Sequence, residues 1–178
     1  MSSRVRAVRA LPALGLIVAL VAGCRSSAGS GAGCKPGEPF CWCPAGASCS
    51  QTCTGPSCAL FCANGNAACT LHGGDGCSAS CQNAQTCSAT CGKASTVACQ
   101  YVKGTCTATV GEASRVHCEG AALCDITCTG ACNVDCPGGH CRVHCADPAT
   151  CSLSCDKAGP AGAACADPAI KVCSASCG

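Results

Sequence analysis

Between Cys124 and Cys155 the chain repeats one short unit: Cys, polar, apolar, polar, Cys. Successive side chains of an extended strand point to opposite faces, so the first, third and fifth positions share a face. In the first unit that face is Cys124, Ile126 and Cys128, while Asp125 and Thr127 point the other way. Cys132-Val134-Cys136, Cys141-Val143-Cys145 and Cys151-Leu153-Cys155 obey the same rule. The outward positions are Asn133 and Asp135, Arg142 and His144, Ser152 and Ser154. The pattern predicts short strands with a sulfur-rich inner face and a wet outer face.

The unit extends back along the chain. Strand starts are expected at Cys49, Cys58, Cys69, Cys77, Cys87, Cys99, Cys106, Cys118, Cys124, Cys132, Cys141, Cys151, Cys165 and Cys173. A second cysteine follows four residues on at Cys53, Cys62, Cys81, Cys91, Cys128, Cys136, Cys145, Cys155 and Cys177. In the other units that place holds Gly73, Lys103, Val110, Ala122 or Ala169. Turn formers such as Gly55-Pro56, Gly73-Gly74-Asp75-Gly76, Pro137-Gly138-Gly139 and Asp147-Pro148 separate the units. No segment carries a helical apolar period. The spacing of about 9.5 residues per strand and turn points to an all-β, disulfide-stapled β-solenoid of Cys-x-x-x-Cys strands. Two strands per coil give a rung of about 19 residues. Three strands per coil, or a meander of hairpins, also fit the pattern.

Composition explains why such a body needs staples. The chain has 178 residues and 27 cysteines, but only Phe40, Trp42, Phe61 and Tyr101 are aromatic. Aromatic side chains usually dominate burial, and small domains without them depend on covalent links. Bridges of this number persist only in an oxidising compartment. Packed sheets stand about 10 Å apart, whereas a disulfide needs Cα atoms about 4.4–6.8 Å apart. Bridges between sheets therefore require the faces to pinch. In the pinched arrangement Cys53 is expected to meet Cys58, and Cys49 to meet Cys62.

The start of the chain has another character. Arg4, Arg6 and Arg9 precede an apolar run from Leu11 to Val21, too short for a comfortable permanent span. The run ends in Val21-Ala22-Gly23-Cys24. This segment resembles the lipobox of bacterial lipoprotein precursors. The resemblance covers residues 1–24 and implies a cleaved signal peptide (1–23) and a lipid-bearing N-terminus at Cys24. Two or three acyl chains anchor stably where one is marginal. Arg25 stands where Asp marks inner-membrane retention in enterobacteria, which favours the outer membrane. Setting Cys24 aside leaves 26 cysteines, enough for 13 bridges. Residues 24–33 then read as the lipidated N-terminus and a Ser/Gly/Ala tether. Residues 34–48 read as a Cys/Pro-rich cap carrying Cys34, Cys41 and Cys43, and 49–178 as the repeat domain.

Charge and motifs narrow the chemistry. Without Arg4, Arg6 and Arg9 the formal charge falls from +2 to −1, so no capture of nucleic acid is expected. His140, Arg142 and His144 should all face outward, and the two histidines, about 13 Å apart along a strand, cannot share one ion. The spacing is unlike metallothionein, where Cys-x-Cys and Cys-x-x-Cys dominate; here no catalytic set, metal centre or cofactor is expected. The short strands resemble insect Cys-rich antifreeze solenoids in architecture: Cys106-Thr107-Ala108-Thr109 and Cys87-Ser88-Ala89-Thr90 are locally similar. The outward pairs vary along the chain, however, so no flat threonine ladder is expected. The reading is a non-enzymatic, lipid-anchored envelope protein with a structural, adhesive or binding role. Its partners would be the membrane, through its lipid, and an envelope protein or polysaccharide. A metal-sequestering lipoprotein is the alternative.

Overall fold

The computed structural model describes residues 24–27, 40–43, 46, 48–63, 65, 67–155 and 163–177. The expected signal peptide, most of the tether and Cys34 lie outside these residues. The described chain is all β, with strands numbered here in chain order. One sheet, sheet A, holds β1 (Cys24–Ser27), β3 (Cys49–Cys53), β5 (Ala68–His72), β7 (Thr86–Cys91), β9 (Thr105–Val110), β11 (Leu123–Cys128), β13 (Cys141–Cys145), β16 (Ile170–Cys173) and β15 (Ala163–Ala164), in that spatial order. The other, sheet B, holds β2 (Phe40–Trp42), β4 (Ala59–Cys62), β6 (Ser78–Gln82), β8 (Thr96–Gln100), β10 (Ser114–Glu119), β12 (Cys132–Cys136) and β14 (Cys151–Cys155). From β2 to β14 the chain alternates between sheets, two strands per coil, and these strands pair in parallel with the one a coil away. The fold is a disulfide-stapled β-solenoid; the three-strand coil and the hairpin meander are set aside.

Alternation sets the core. In β11, Cys124, Ile126 and Cys128 are fully buried while Thr127 is exposed. Identical positions stack along the axis, so sheet A builds an inner column of Gln51, Leu71, Ala89, Ala108, Ile126 and Val143. Gln51 is the anomaly. Its Nε2 donates to Cys43 Sγ and to the Phe61 carbonyl, both at 3.3 Å, and its Oε1 is buried with no partner.

The bridges lie at the two corners, where one strand ends and the next begins. At one corner run Cys43–Cys49, Cys62–Cys69, Cys81–Cys87, Cys99–Cys106, Cys118–Cys124 and Cys136–Cys141. At the other run Cys53–Cys58, Cys77–Cys91, Cys128–Cys132 and Cys145–Cys151. Cα separations of 5.7 Å in Cys77–Cys91 and 6.5 Å in Cys118–Cys124 show the pinch the geometry demands. Cys53 meets Cys58 as expected, but Cys49 bonds Cys43, not Cys62, and Cys62 bonds Cys69. The reason is the helical advance. The chain climbs as it crosses the core, so the nearest sulfur at each corner belongs to the neighbouring strand rather than to the far end of the same pair. Cys41 is bridged as well.

The units with one cysteine are explained by the same corners. Cys99 and Cys118 do not open strands; they close β8 and β10, whose starts are marked by Ser95 and Ser114. Both serines are buried in place of half-cystines and form a polar ladder. Ser95 Oγ accepts from the Cys77 amide and Ser114 Oγ accepts from the Ser95 amide, each at 3.1 Å. Cys77 lacks a partner in its own coil because Gly73 stands there, so it reaches up one coil to Cys91. The expected strands at Cys165 and Cys173 are also revised. Cys173 closes β16, which runs antiparallel to β13, and Cys155–Cys173 and Cys165–Cys177 tie this end down. β1 pairs antiparallel with β3 at the opposite end, so Arg25–Ser27, in the stretch read as tether, is strand. β2, in the stretch read as cap, is the first rung of sheet B. An antiparallel strand at each end of sheet A breaks the template that an open parallel edge would present.

Most of the turns also hold a left-handed residue. Ser57, Gly76, Ala94 and Ala113 occupy it at one corner, and Asn83, Tyr101, Gly120 and Gly138 at the other. Their amides donate to the next coil, as in Ala94 N to Glu112 O at 2.8 Å and Tyr101 N to Glu119 O at 2.8 Å. A left-handed bulky residue such as Tyr101 is uncommon.

Candidate functional site

Separating the sheets shows two different outer faces. Sheet A's face carries Ser50 and Thr52, Thr70 and His72, Ser88 and Thr90, then Thr107 and Thr109, stacked in register. Thr86 and Thr105 extend β7 and β9 to a third position. This is a mixed serine and threonine ladder interrupted by His72, not a flat threonine ladder, and the sequence alone did not show how regularly its hydroxyls stack. Consecutive units belong to alternate sheets, so comparing them along the chain mixes two surfaces. Farther along, this face turns ionic. Arg142 Nη2 meets Asp125 Oδ2 at 2.5 Å and His144 Nε2 meets Asp125 Oδ1 at 3.3 Å. Arg142 and His144 do face outward as predicted, and neither stands alone. His140, exposed on the turn before β13, contacts the Ser174 carbonyl through Nδ1.

The hydrogen bond from Arg142, with the nearby positive charges, holds the Asp125 carboxyl below the ordinary carboxylate range despite its partial burial. A depressed folded-state value means the pairing stabilises the protein above the unfolded-state value and that this contribution disappears as pH falls through the folded one. Thermal unfolding followed from pH 5 to pH 2 should therefore show a falling midpoint, and Asp125→Asn should flatten part of that fall. An identical pH profile in the variant would remove Asp125 from the acid response.

Sheet B's face is built differently. Its rows, one strand to the next, are Ser78, Thr96, Arg115, Asn133 and Ser152; then Ser80, Ala98, His117, Asp135 and Ser154; then Gln82, Gln100 and Glu119. A continuous polar chain crosses three rungs. The Tyr101 hydroxyl donates to Glu119 Oε1 at 2.9 Å, Glu119 Oε2 lies 3.6 Å from His117 Nε2, and His117 Nδ1 lies 3.1 Å from Asp135 Oδ2. The bond to Glu119 and that carboxylate's charge raise the Tyr101 phenol above its ordinary value. Beside the chain, Ser152 Oγ donates to Asn133 Oδ1 at 2.6 Å and Gln82 Nε2 to Gln100 Oε1 at 2.8 Å. These side chains border a groove of about 490 Å³ lined by Thr96, Arg115, His117, Asn133, Asp135 and Ser152, among others. A second hollow, at the corner, is lined by Tyr101, Glu119, Gly120, Pro137 and Gly138. Tyr101 is 53% exposed, and its ring covers Gly120, where a Cβ would stand 2.8 Å from the ring.

The sequence reading did not assemble this site. Its contacts join residues one coil apart: Tyr101 with Glu119, His117 with Asp135, Asn133 with Ser152. Scanning for polar residues at that separation would have found them.

The sulfurs belong inside. Two triads, Cys118-Cys124-Cys141 and Cys128-Cys132-Cys151, place three sulfurs within 4.8 Å of one another. All six are half-cystines of neighbouring bridges, and a disulfide sulfur lacks the thiolate charge that metal binding uses. Among the described residues no helix is long and apolar enough to cross a membrane. The fold and its faces define a class, the disulfide-stapled two-sheet β-solenoid with polar outer faces. No family model matches the chain, and neither a curated protein nor a solved structure matches it.

Proposed function

We propose that the chain is a lipid-anchored protein of a bacterial cell envelope whose solenoid serves a binding or adhesive role without catalysis. The observation that carries the binding role is the placement of chemistry: stapled sulfur within, ordered polar rows without. A parallel sheet held at its corners by bridges presents those rows at a fixed spacing of about 4.8 Å. Binding benefits from such preorganisation because little side-chain and backbone freedom is lost on contact. His117 has a carboxylate at each ring nitrogen, an arrangement that holds the ring in place. The anchor rests on the order of Arg4, Arg6 and Arg9, the apolar run and Val21-Ala22-Gly23-Cys24. β1 begins at Cys24 and lies at the first rung, so a lipid there would hold the solenoid by one end and leave both faces open. The outer membrane is the favoured location. The bridged state of the sulfurs gives no support to metal storage.

The test is fractionation of cells carrying the wild-type chain or Cys24→Ser. The wild type is expected in the membrane fraction and the variant in the soluble one. Retention of the variant in the membrane would overturn the anchor.

A further inference from the structure

We propose that the groove on sheet B binds a neutral, hydroxyl-rich polysaccharide chain, with Tyr101 as the platform for a sugar ring. The inference rests on the binding role just proposed and names the ligand of that face.

The chemistry of the groove excludes the other common partners in turn. Along the groove and the corner hollow the fixed charges are Arg115, Asp135 and Glu119, with His117 between the two carboxylates. One cation against two anions gives no field that would draw a polyanion, so nucleic acid and acidic polymers are poorly served. Protein interfaces are centred on clusters of buried aromatic and aliphatic anchors. Here the only apolar lining residues among those described are Val116 and Val134, both buried, and Tyr101 is the exposed aromatic of the corner hollow, joined to the groove through Glu119 and His117.

What the groove offers is planar hydrogen-bonding groups, held in rows. The exposed Arg115 makes no side-chain ion pair or hydrogen bond among those described, so its guanidinium donors face solvent. The Asn133 amide is oriented by Ser152, whose hydroxyl occupies Oδ1 and leaves the NH2 donors for a ligand. Asp135, whose Oδ2 faces His117, keeps Oδ1 for accepting from hydroxyls, whereas Glu119 spends Oε1 on Tyr101 and Oε2 on His117. Donors on one row and acceptors on the next match vicinal hydroxyls, each of which both gives and takes a hydrogen bond. Tyr101 supplies the apolar face that the C–H side of a sugar ring requires. Its left-handed backbone projects it at a corner where the following coils have Gly120 and Gly138, so the ring is not crowded from that side. The groove crosses β8, β10, β12 and β14, about 14 Å at the spacing of strands, which suits a short run of sugar rings rather than one small molecule.

The test uses the full lipidated chain in detergent and measures binding of cellotetraose, N-acetylchitotetraose and polygalacturonate by calorimetry. At least one neutral tetrasaccharide should bind with Kd below about 1 mM. Tyr101→Asn, which suits the left-handed turn but lacks the ring, should weaken that binding at least tenfold, as should Asn133→Ala. Ser88→Ala on sheet A should leave it unchanged. No binding to either neutral tetrasaccharide, binding to polygalacturonate alone, or full affinity in Tyr101→Asn would each overturn the inference. Fractionation scores the anchor separately. Membrane-held protein that binds no glycan overturns this inference alone, and glycan binding by protein found in the soluble fraction overturns the anchor alone.

Discussion

Reduction should unfold this protein completely. Alkylation of the chain from Gly33 onward, which holds 26 cysteines, should give no label before reduction and 26 labels after it. Far-UV circular dichroism should lose its β signal in the same step. The reason is the thinness of the core. Its largest buried side chains are Leu60, Leu71, Ile126 and Gln51, and the rest are valine, alanine, half-cystine and the serines Ser95 and Ser114. The bridges close loops from 4 residues in Cys128–Cys132 to 18 in Cys155–Cys173. By loop closure alone each stabilises by about 2–3 kcal/mol. These contributions do not add strictly, but a dozen of them exceed the roughly 5–15 kcal/mol that separates folded from unfolded domains. Retention of the β signal after full reduction would mean that the parallel ladders stand without staples. Extensive labelling before reduction, in protein from its native compartment, would reopen metal binding by thiolates.

Gly111→Ala should be strongly destabilising for the addition of a single methyl group. Gly74, Gly92 and Gly111 stack at one corner, joined by Gly92 N to Gly74 O at 3.0 Å and Gly111 N to Gly92 O at 3.1 Å. A Cβ on Gly111 would stand 2.8 Å from both Gly92 C and Lys93 N. Those atoms are backbone of the preceding coil, so no side chain can swing aside. Overpacking of this kind costs about 1–3 kcal/mol, and more where the frame cannot shift. The frame here is bridged at Cys77–Cys91 and Cys99–Cys106 on either side. The denaturant midpoint should fall clearly for Gly111→Ala and less for Gly74→Ala, whose nearest neighbour, Gly55 O, is 3.3 Å away. Equal midpoints for wild type and Gly111→Ala would show that the coils separate freely at this corner.

The two expectations share a lesson about legibility. The glycine column and the bridge at Cys77 both follow from residues a coil apart, and both were invisible as local motifs. Gly73 reads as an interruption of the Cys-x-x-x-Cys rule, and Ser95 carries no local signal at all. In the fold they explain it: Gly73 leaves Cys77 to find Cys91, and Ser95 replaces a half-cystine with a hydrogen bond to the Cys77 amide. Cys99 and Cys118 were placed at the wrong ends of their strands for the same reason, because serine at a strand start carries no visible signal. Tyr101 gave no sign of its left-handed turn, which Gly120 and Gly138 occupy in the following coils.

What the sequence determined by itself is whatever a few neighbouring residues decide: strand after strand, sulfur inward, polar side chains outward, turns between, and a basic, apolar, Cys24-terminated start. Period-two alternation and turn chemistry are local, so they can be read from five or six residues at a time. The tertiary structure alone decided which sheet each strand joins, which sulfurs meet at each corner, and which outward residues become neighbours. Those choices depend on the climb of the chain per coil, which brings together residues 17 to 20 positions apart, as in Asp125 with Arg142 and Cys49 with Cys69. The hydroxyl face of sheet A and the Tyr101–Glu119–His117–Asp135 row of sheet B exist only once that climb is set.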